Sequence, residues 1–276
     1  MKLFLKTKDY SVSGEDFDLV YDTDLDMLVT QPQPEDISPY YNSEAYISHT
    51  DSTLSFTDKL YQRVKQYNLK KKIQIIDNQI VKAKKLLDYG AGTGDFLLQA
   101  KSSGYEIAGV EPNEKARAKA STKGIKLYKS IKELENKSYD AITLWHVLEH
   151  VPDLNGTIKE ISNRLNRNGV LVIAVPNYKS YDAKYYGHYW AAYDVPRHLW
   201  HFSKTSIIRL FDRQQMEVVS IKPMLFDAFY VSLLSEKYKK NKLYLFNAFF
   251  LGLWSNIKAY FSKEYSSLIY VIKKKN

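Results

Sequence analysis

The stretch Lys85 to Leu97, K-L-L-D-Y-G-A-G-T-G-D-F-L, limits what this chain can fold into more than any other. A short apolar run ends in an acid, Asp88, and glycines follow at the alternate positions 90, 92 and 94. Phe96-Leu97-Leu98 then opens a helix that Gly104 can close from a left-handed cap. Glycine suits a tight turn and a backbone that a ligand approaches where a Cβ would collide. The helix start offers unpaired N–H groups to an anion or to the edge of a nucleoside. The run Tyr105 to Glu111 reads as a second strand, and its terminal acid is placed for a ribose hydroxyl pair. Strand, turn, helix and strand in this register predict a nucleotide-binding βαβ unit and hence an α/β fold.

Two ligand classes compete for such a unit. The dinucleotide fingerprint G-x-G-x-x-G needs glycine at position 95, where the chain has Asp95. The phosphate loop G-x-x-x-x-G-K-[ST] is absent. The spacing G-x-G-x-G after an acid instead resembles the first motif of class I S-adenosylmethionine-dependent methyltransferases. A second stretch, Ser138 to Asp153, contains H-V-L-E-H-V-P-D and resembles the fourth motif of that superfamily, including the ubiquinone-pathway O-methyltransferases.

The resemblance covers roughly residues 85–220. It implies a Rossmann-like fold, a mostly parallel seven-stranded sheet with helices on both faces. The last strand would insert antiparallel between the fifth and sixth. S-adenosyl-L-methionine is the implied cofactor. Its implied contacts are Asp88, Gly90, Ala91, Gly92, Gly94, Phe96, Glu111, Pro112, Ser130, Ile131, Leu144, Trp145 and His146. Relatives carry an acid after the third strand for the adenine amine, whereas this chain has Lys129, Ser130 and Ile131 there. Relatives also place an N-terminal tyrosine over the methionyl part, a role open to Tyr41, Tyr46 or His49.

Three units are expected: a β-rich appendage over 1–55, a linking helix over 56–84 and the methyltransferase domain over 85–276. The appendage resembles a degenerate zinc ribbon, but Asp22 and Leu25 stand where its cysteines would fall, so no zinc is inferred. In the linking helix, Lys70-Lys71-Lys72 reads as a solvated face. His146-x-x-Glu149-His150 also fits an inverted metalloprotease pattern, yet it follows a buried strand within a methyltransferase motif. A divalent metal there is considered and not favoured. His146, His150 and His198 are instead candidate bases for an oxygen acceptor.

The aromatic loop 178–202 is expected to form a substrate lid, with His188, Trp190, Arg197 and His201 towards the acceptor. Arg197 could hold an acceptor anion, or it could form a structural clamp with Asp194. The segment 226–265 reads as a helical insertion, densely apolar from Leu243 to Trp254. A lid over an apolar substrate is preferred to a dimer face or a membrane-surface contact.

The charge is uneven. The chain carries +9 overall, with acids concentrated before residue 55 and lysines in the last segment. Nucleic acid is not the expected partner, because no N-P-P-[YF] amine-methylation motif follows the fourth strand. A small-molecule, lipid or glycan-related acceptor is expected, with a non-catalytic cofactor-binding module or a nucleic-acid methyltransferase as the alternative. The absence of cysteine agrees with a cytoplasmic protein.

Overall fold

The computed structural model describes residues 2–41, 56–80, 84–135 and 137–275. Two sheets organise the chain. The first is antiparallel and is formed by β1 (Lys2–Lys8), β2 (Asp16–Asp22), β3 (Met27–Gln31) and the short β8 (Trp200–His201), in the order β1-β2-β3-β8. The second is the larger and has the order β5-β4-β6-β7-β10-β9. Its strands are β4 (Lys85–Tyr89), β5 (Glu106–Val110), β6 (Tyr139–Trp145), β7 (Leu165–Pro176), β9 (Met216–Pro223) and β10 (Ser267–Lys274).

Strands β5, β4, β6 and β7 run parallel, and β10 enters antiparallel between β7 and β9. The strand expected over 125–128 is reduced to a single parallel bridge between Val110 and Tyr128. The larger sheet therefore has six strands and a bridge, not seven strands. The cause is local: Gly124 turns the chain at φ 72°, and Glu133 then accepts from the Lys129 N–H, bending it into the 3-10 turn Ile131–Glu133. Little extended backbone is left between the two turns.

Residues Val170 to Val175 of β7 have no exposed surface, because helices cover both faces. Alternation then separates two cores. Val170, Val172 and Ala174 pack with Leu69, Ile73 and Ile76 of α1 (Phe56–Asp77) and with Leu97 and Ala100 of α2 (Asp95–Ser102). Leu171, Ile173 and Val175 pack with Ile158 and Ile161 of α4 (Leu154–Arg164) and with Ile207 and Leu210 of α6 (Lys204–Asp212). The first of these cores also takes Ala120 of α3 (Glu114–Thr122), a helix capped by the Asn113 side chain on the Ala116 N–H.

The short α5 (Tyr181–Tyr186) follows β7. A helical hairpin, α7 (Asp227–Tyr238) and α8 (Tyr244–Ser262), joins β9 to β10 over the span read as an insertion.

Candidate active site

The glycine turn sits between the C-terminal ends of β4 and β5. Gly90 and Ala91 both donate N–H to the Val110 carbonyl, which pins the turn to the neighbouring strand. All three glycines have positive φ, but for different reasons. A Cβ on Gly90 would lie 2.4 Å from the Val147 side chain, and one on Gly94 3.1 Å from Ala120. These two are needed for packing, whereas a Cβ on Gly92 would meet no atom of the described residues within 4 Å. Beside that space, Glu111 accepts from the N–H groups of Gly92 (2.8 Å) and Asn113 (2.9 Å). A carboxylate has further lone pairs, so the same group can also accept two ribose hydroxyls.

Asp88 is buried under the turn and accepts a 2.6 Å hydrogen bond from Thr143 on β6. Burial pushes its carboxyl up to about 7, against the opposing pull of Thr143 and Lys72. Lys72 stands 4.2 Å from the ring centre of Trp145, and burial holds its ammonium down to about 8. The lysine expected on a solvated face is instead laid over Trp145 at the end of β6.

Four expected cofactor contacts are core side chains. Phe96 packs edge-on against Trp145 at 5.4 Å, while Ala91, Ile131 and Leu144 are buried among apolar neighbours. Ser130 is partly exposed ahead of the 3-10 turn, and Pro112 is exposed with its carbonyl accepting from Arg117. Tyr46 and His49 lie outside the described residues.

The end of β6 carries the titratable cluster. His146 has φ 56°, unusual for a residue with a side chain, and this turns its ring between two acids. Nδ1 lies 3.4 Å from Glu149 and Nε2 lies 3.1 Å from Asp227 at the start of α7. Burial alone would favour the neutral ring, but the two carboxylates outweigh it and raise the pKa to about 10. His146 is thus an imidazolium near neutral pH. It cannot take a proton, which corrects the expectation of a base there.

A raised pKa stabilises the fold fully below the unfolded value of about 6.5 and is lost as pH climbs through about 10. The melting-temperature gap between parent and His146→Gln is therefore expected to be constant in mild acid, to shrink above neutrality and to close near pH 10. A gap independent of pH would contradict the clamp.

His150 and His198 are oriented by backbone carbonyls, the first by Arg197 O at 3.0 Å and the second by Ala192 O at 2.9 Å. A carbonyl only accepts, so in each ring Nδ1 carries a proton and donates it. Burial, reinforced by His198, lowers the His150 pKa to about 4. The Tyr41 hydroxyl reaches His150 Nδ1 at 3.1 Å, bringing an expected N-terminal tyrosine to the end of β6. Glu149 is buried and touches His146 without a hydrogen bond to either carboxylate oxygen. Glu149, His150 and His198 place one ligand atom each within 4.8 Å of one another, so these three groups could hold a metal ion, rather than the sequential His146-x-x-Glu149-His150.

Residues 58–221 match a family model described as a methyltransferase domain. The chain belongs to that family. Its cofactor is S-adenosyl-L-methionine, and the glycine turn with the open face at Gly92 and the acid Glu111 fits that ligand. No curated protein matches the sequence.

Several solved structures share the fold. Magnesium protoporphyrin IX methyltransferase from Synechocystis with bound SAM is 13% identical with a TM-score of 0.53, over 86% of this chain and 94% of that one. The StiE O-MT is 14% identical with a TM-score of 0.54, over 81% and 79%. Haemonchus contortus phosphoethanolamine N-methyltransferase 2, in complex with S-adenosyl-L-methionine, is 16% identical with a TM-score of 0.51, over 75% and 53%.

The methyltransferase uses its loop 178–202 differently from the expected lid. The loop is packed against the antiparallel sheet and the α7–α8 hairpin and supplies β8, which pairs Trp200 with Val29 and His201 with Leu28. Trp190 is buried and donates its indole N–H to Asp182. His201 is buried against Thr30, whose hydroxyl donates to His198 O, so His201 Nε2–H donates to that hydroxyl. Arg197 is 1% exposed and binds Asp9, Asp194, Ser11 and the Tyr40 carbonyl. Of the four expected acceptor contacts only His188 is exposed.

Two residues of the methyltransferase site escaped the sequence reading. Lys72 sits three residues after Leu69 on the buried stripe of α1, a spacing that could have placed it inward. Asp227 opens a helix far along the chain and carries no local signal. Together they border a groove of about 530 Å³, also lined by Tyr67, Met224 and Phe226.

Proposed function

We propose that the enzyme methylates an oxygen of a small-molecule or lipid-linked acceptor, with His150 taking the acceptor's proton. S-adenosyl-L-methionine supplies an electrophilic methyl group on a sulfonium. The chain's own residues must then align the nucleophile, exclude water and move one proton. His150 supports this reading best, being neutral with Nδ1 on the Arg197 carbonyl and no partner at Nε2 among the described residues. A weak base suffices, because a hydroxyl becomes far more acidic as its oxygen bonds to the methyl group. The buried Glu149 carboxylate would stabilise the imidazolium that forms. His146, already protonated, holds the root of α7 through Asp227. The groove between Lys72 and Asp227 is large enough for a small acceptor with an apolar part.

His150→Asn keeps the size and the Nδ1-side donor but lacks the Nε2 lone pair. With labelled cofactor and fractionated cell extract, turnover is expected to fall by about 10²–10⁴-fold while S-adenosylhomocysteine affinity is kept. Unchanged turnover, or label recovered on nitrogen, would count against the proposal.

A further inference from the structure

Helix α8 is built inside out. Its buried positions are Ala248, Gly252, Ser255 and Ala259, spaced by three or four along one face. That face lies against α7, so close that a Cβ on Gly252 would come within 2.7 Å of Phe229. Ser255 donates a hydrogen bond to the buried Asp182. The large apolar side chains point the other way: Phe246, Phe249, Phe250, Leu253, Trp254 and Phe261 are 41–78% exposed. A helix serving only the core would place these inside and its small residues outside. None of them lines the groove between Lys72 and Asp227 that a lid would close.

The charge along this stretch of the chain is of one sign. From Lys237 to Lys263 there are six lysines and no acid. Three of them flank the aromatic residues: Lys258 is 5.0 Å from the Trp254 ring centre, Lys263 is 4.7 Å from that of Tyr260 and Lys237 is 5.6 Å from that of Tyr244. Apolar side chains bordered by aromatic rings and ammonium groups match the layering of a bilayer interface. No helix among the described residues is long and apolar enough to cross a membrane. A second copy of the chain is the weaker occupant, because two such faces would oppose lysines with no acid to answer them.

We infer that the outer face of α8 docks on anionic lipid membranes and lies in the interface. The inference stands on the helix and its charges, independent of which atom is methylated. Docking would also bring α7, and with it Asp227 beside the groove, close to the bilayer surface.

The test is flotation of the full chain with vesicles of phosphatidylcholine alone or mixed with phosphatidylglycerol, at low and high salt. Binding to the anionic vesicles at low salt is expected, falling at least about tenfold on neutral vesicles or in high salt. Phe249→Asp/Trp254→Asp should abolish it with S-adenosylhomocysteine affinity intact. Lys239→Gln/Lys240→Gln/Lys242→Gln, which leaves the apolar face untouched, should weaken it on anionic vesicles. A parent that stays unbound on anionic vesicles overturns the inference. So does light scattering that shows a dimer broken by the aspartate variant without vesicle binding, which would assign the face to a second copy.

Discussion

Arg197→Met is expected to lower the stability of this methyltransferase by about 3–5 kcal/mol, the usual cost of removing one partner from a buried ion pair. The guanidinium is 1% exposed and stands between Asp9 of the N-terminal arm and Asp194 of the loop before β8. Burial works against the Asp9 carboxylate, yet Arg197, the Ser13 N–H and the Ser11 hydroxyl hold its pKa down to about 2. Without the arginine, Asp9 and Asp194 would face each other's charge, and the Tyr40 carbonyl would lose its donor. Urea unfolding followed by tryptophan fluorescence should show the midpoint drop. An arginine serving to grip an anionic acceptor would behave otherwise: the midpoint would hold and KM would rise. The depressed Asp9 pKa adds that the pair's contribution is full above about 3.8 and fades as pH falls towards 2.

Gly92→Val is expected to weaken S-adenosylhomocysteine binding by on the order of a hundredfold or more, measured by calorimetric titration. Two effects add. A β-branched residue is strained at φ 53°, and its side chain would fill the space beside Glu111. Gly94→Ala separates them, because it carries a similar backbone strain at φ 77° but puts its methyl against Ala120 and Ile125. That variant should lose melting temperature with a smaller loss of affinity. Equal affinities for parent and Gly92→Val would remove the glycine turn from the cofactor site.

Local physics made much of this protein readable. A run of alternate glycines between an apolar strand and a helix has few foldings, and the turn at 90–94 forms with the expected left-handed backbone. Asn113 and Ser203 cap helices for the same local reason, a side-chain oxygen within reach of an N–H three residues on. The continuous apolar runs of β6 and β7 required burial on both faces, which fixed the layered α/β architecture, while the antiparallel last strand came from the family resemblance.

What the sequence could not decide were the contacts between distant segments. Arg197 and Asp9 lie 188 residues apart, and nothing local distinguishes a clamp from an anion site. The aromatic loop looked like a lid because its aromatics are dense; only the arrival of β3 beside β8 turned them inward. His146 looked like a base until α7 brought Asp227 to its other nitrogen, and Lys72 looked solvated until α1 laid it over Trp145. The face of α8 was likewise undecidable, since a helix apolar on most sides leaves its orientation to its neighbours. Here small residues at one spacing let α7 approach closely, and the large ones were left outside. Periodicity sets an element; which of its sides is buried depends on the packing free energy of partners that the local sequence does not contain.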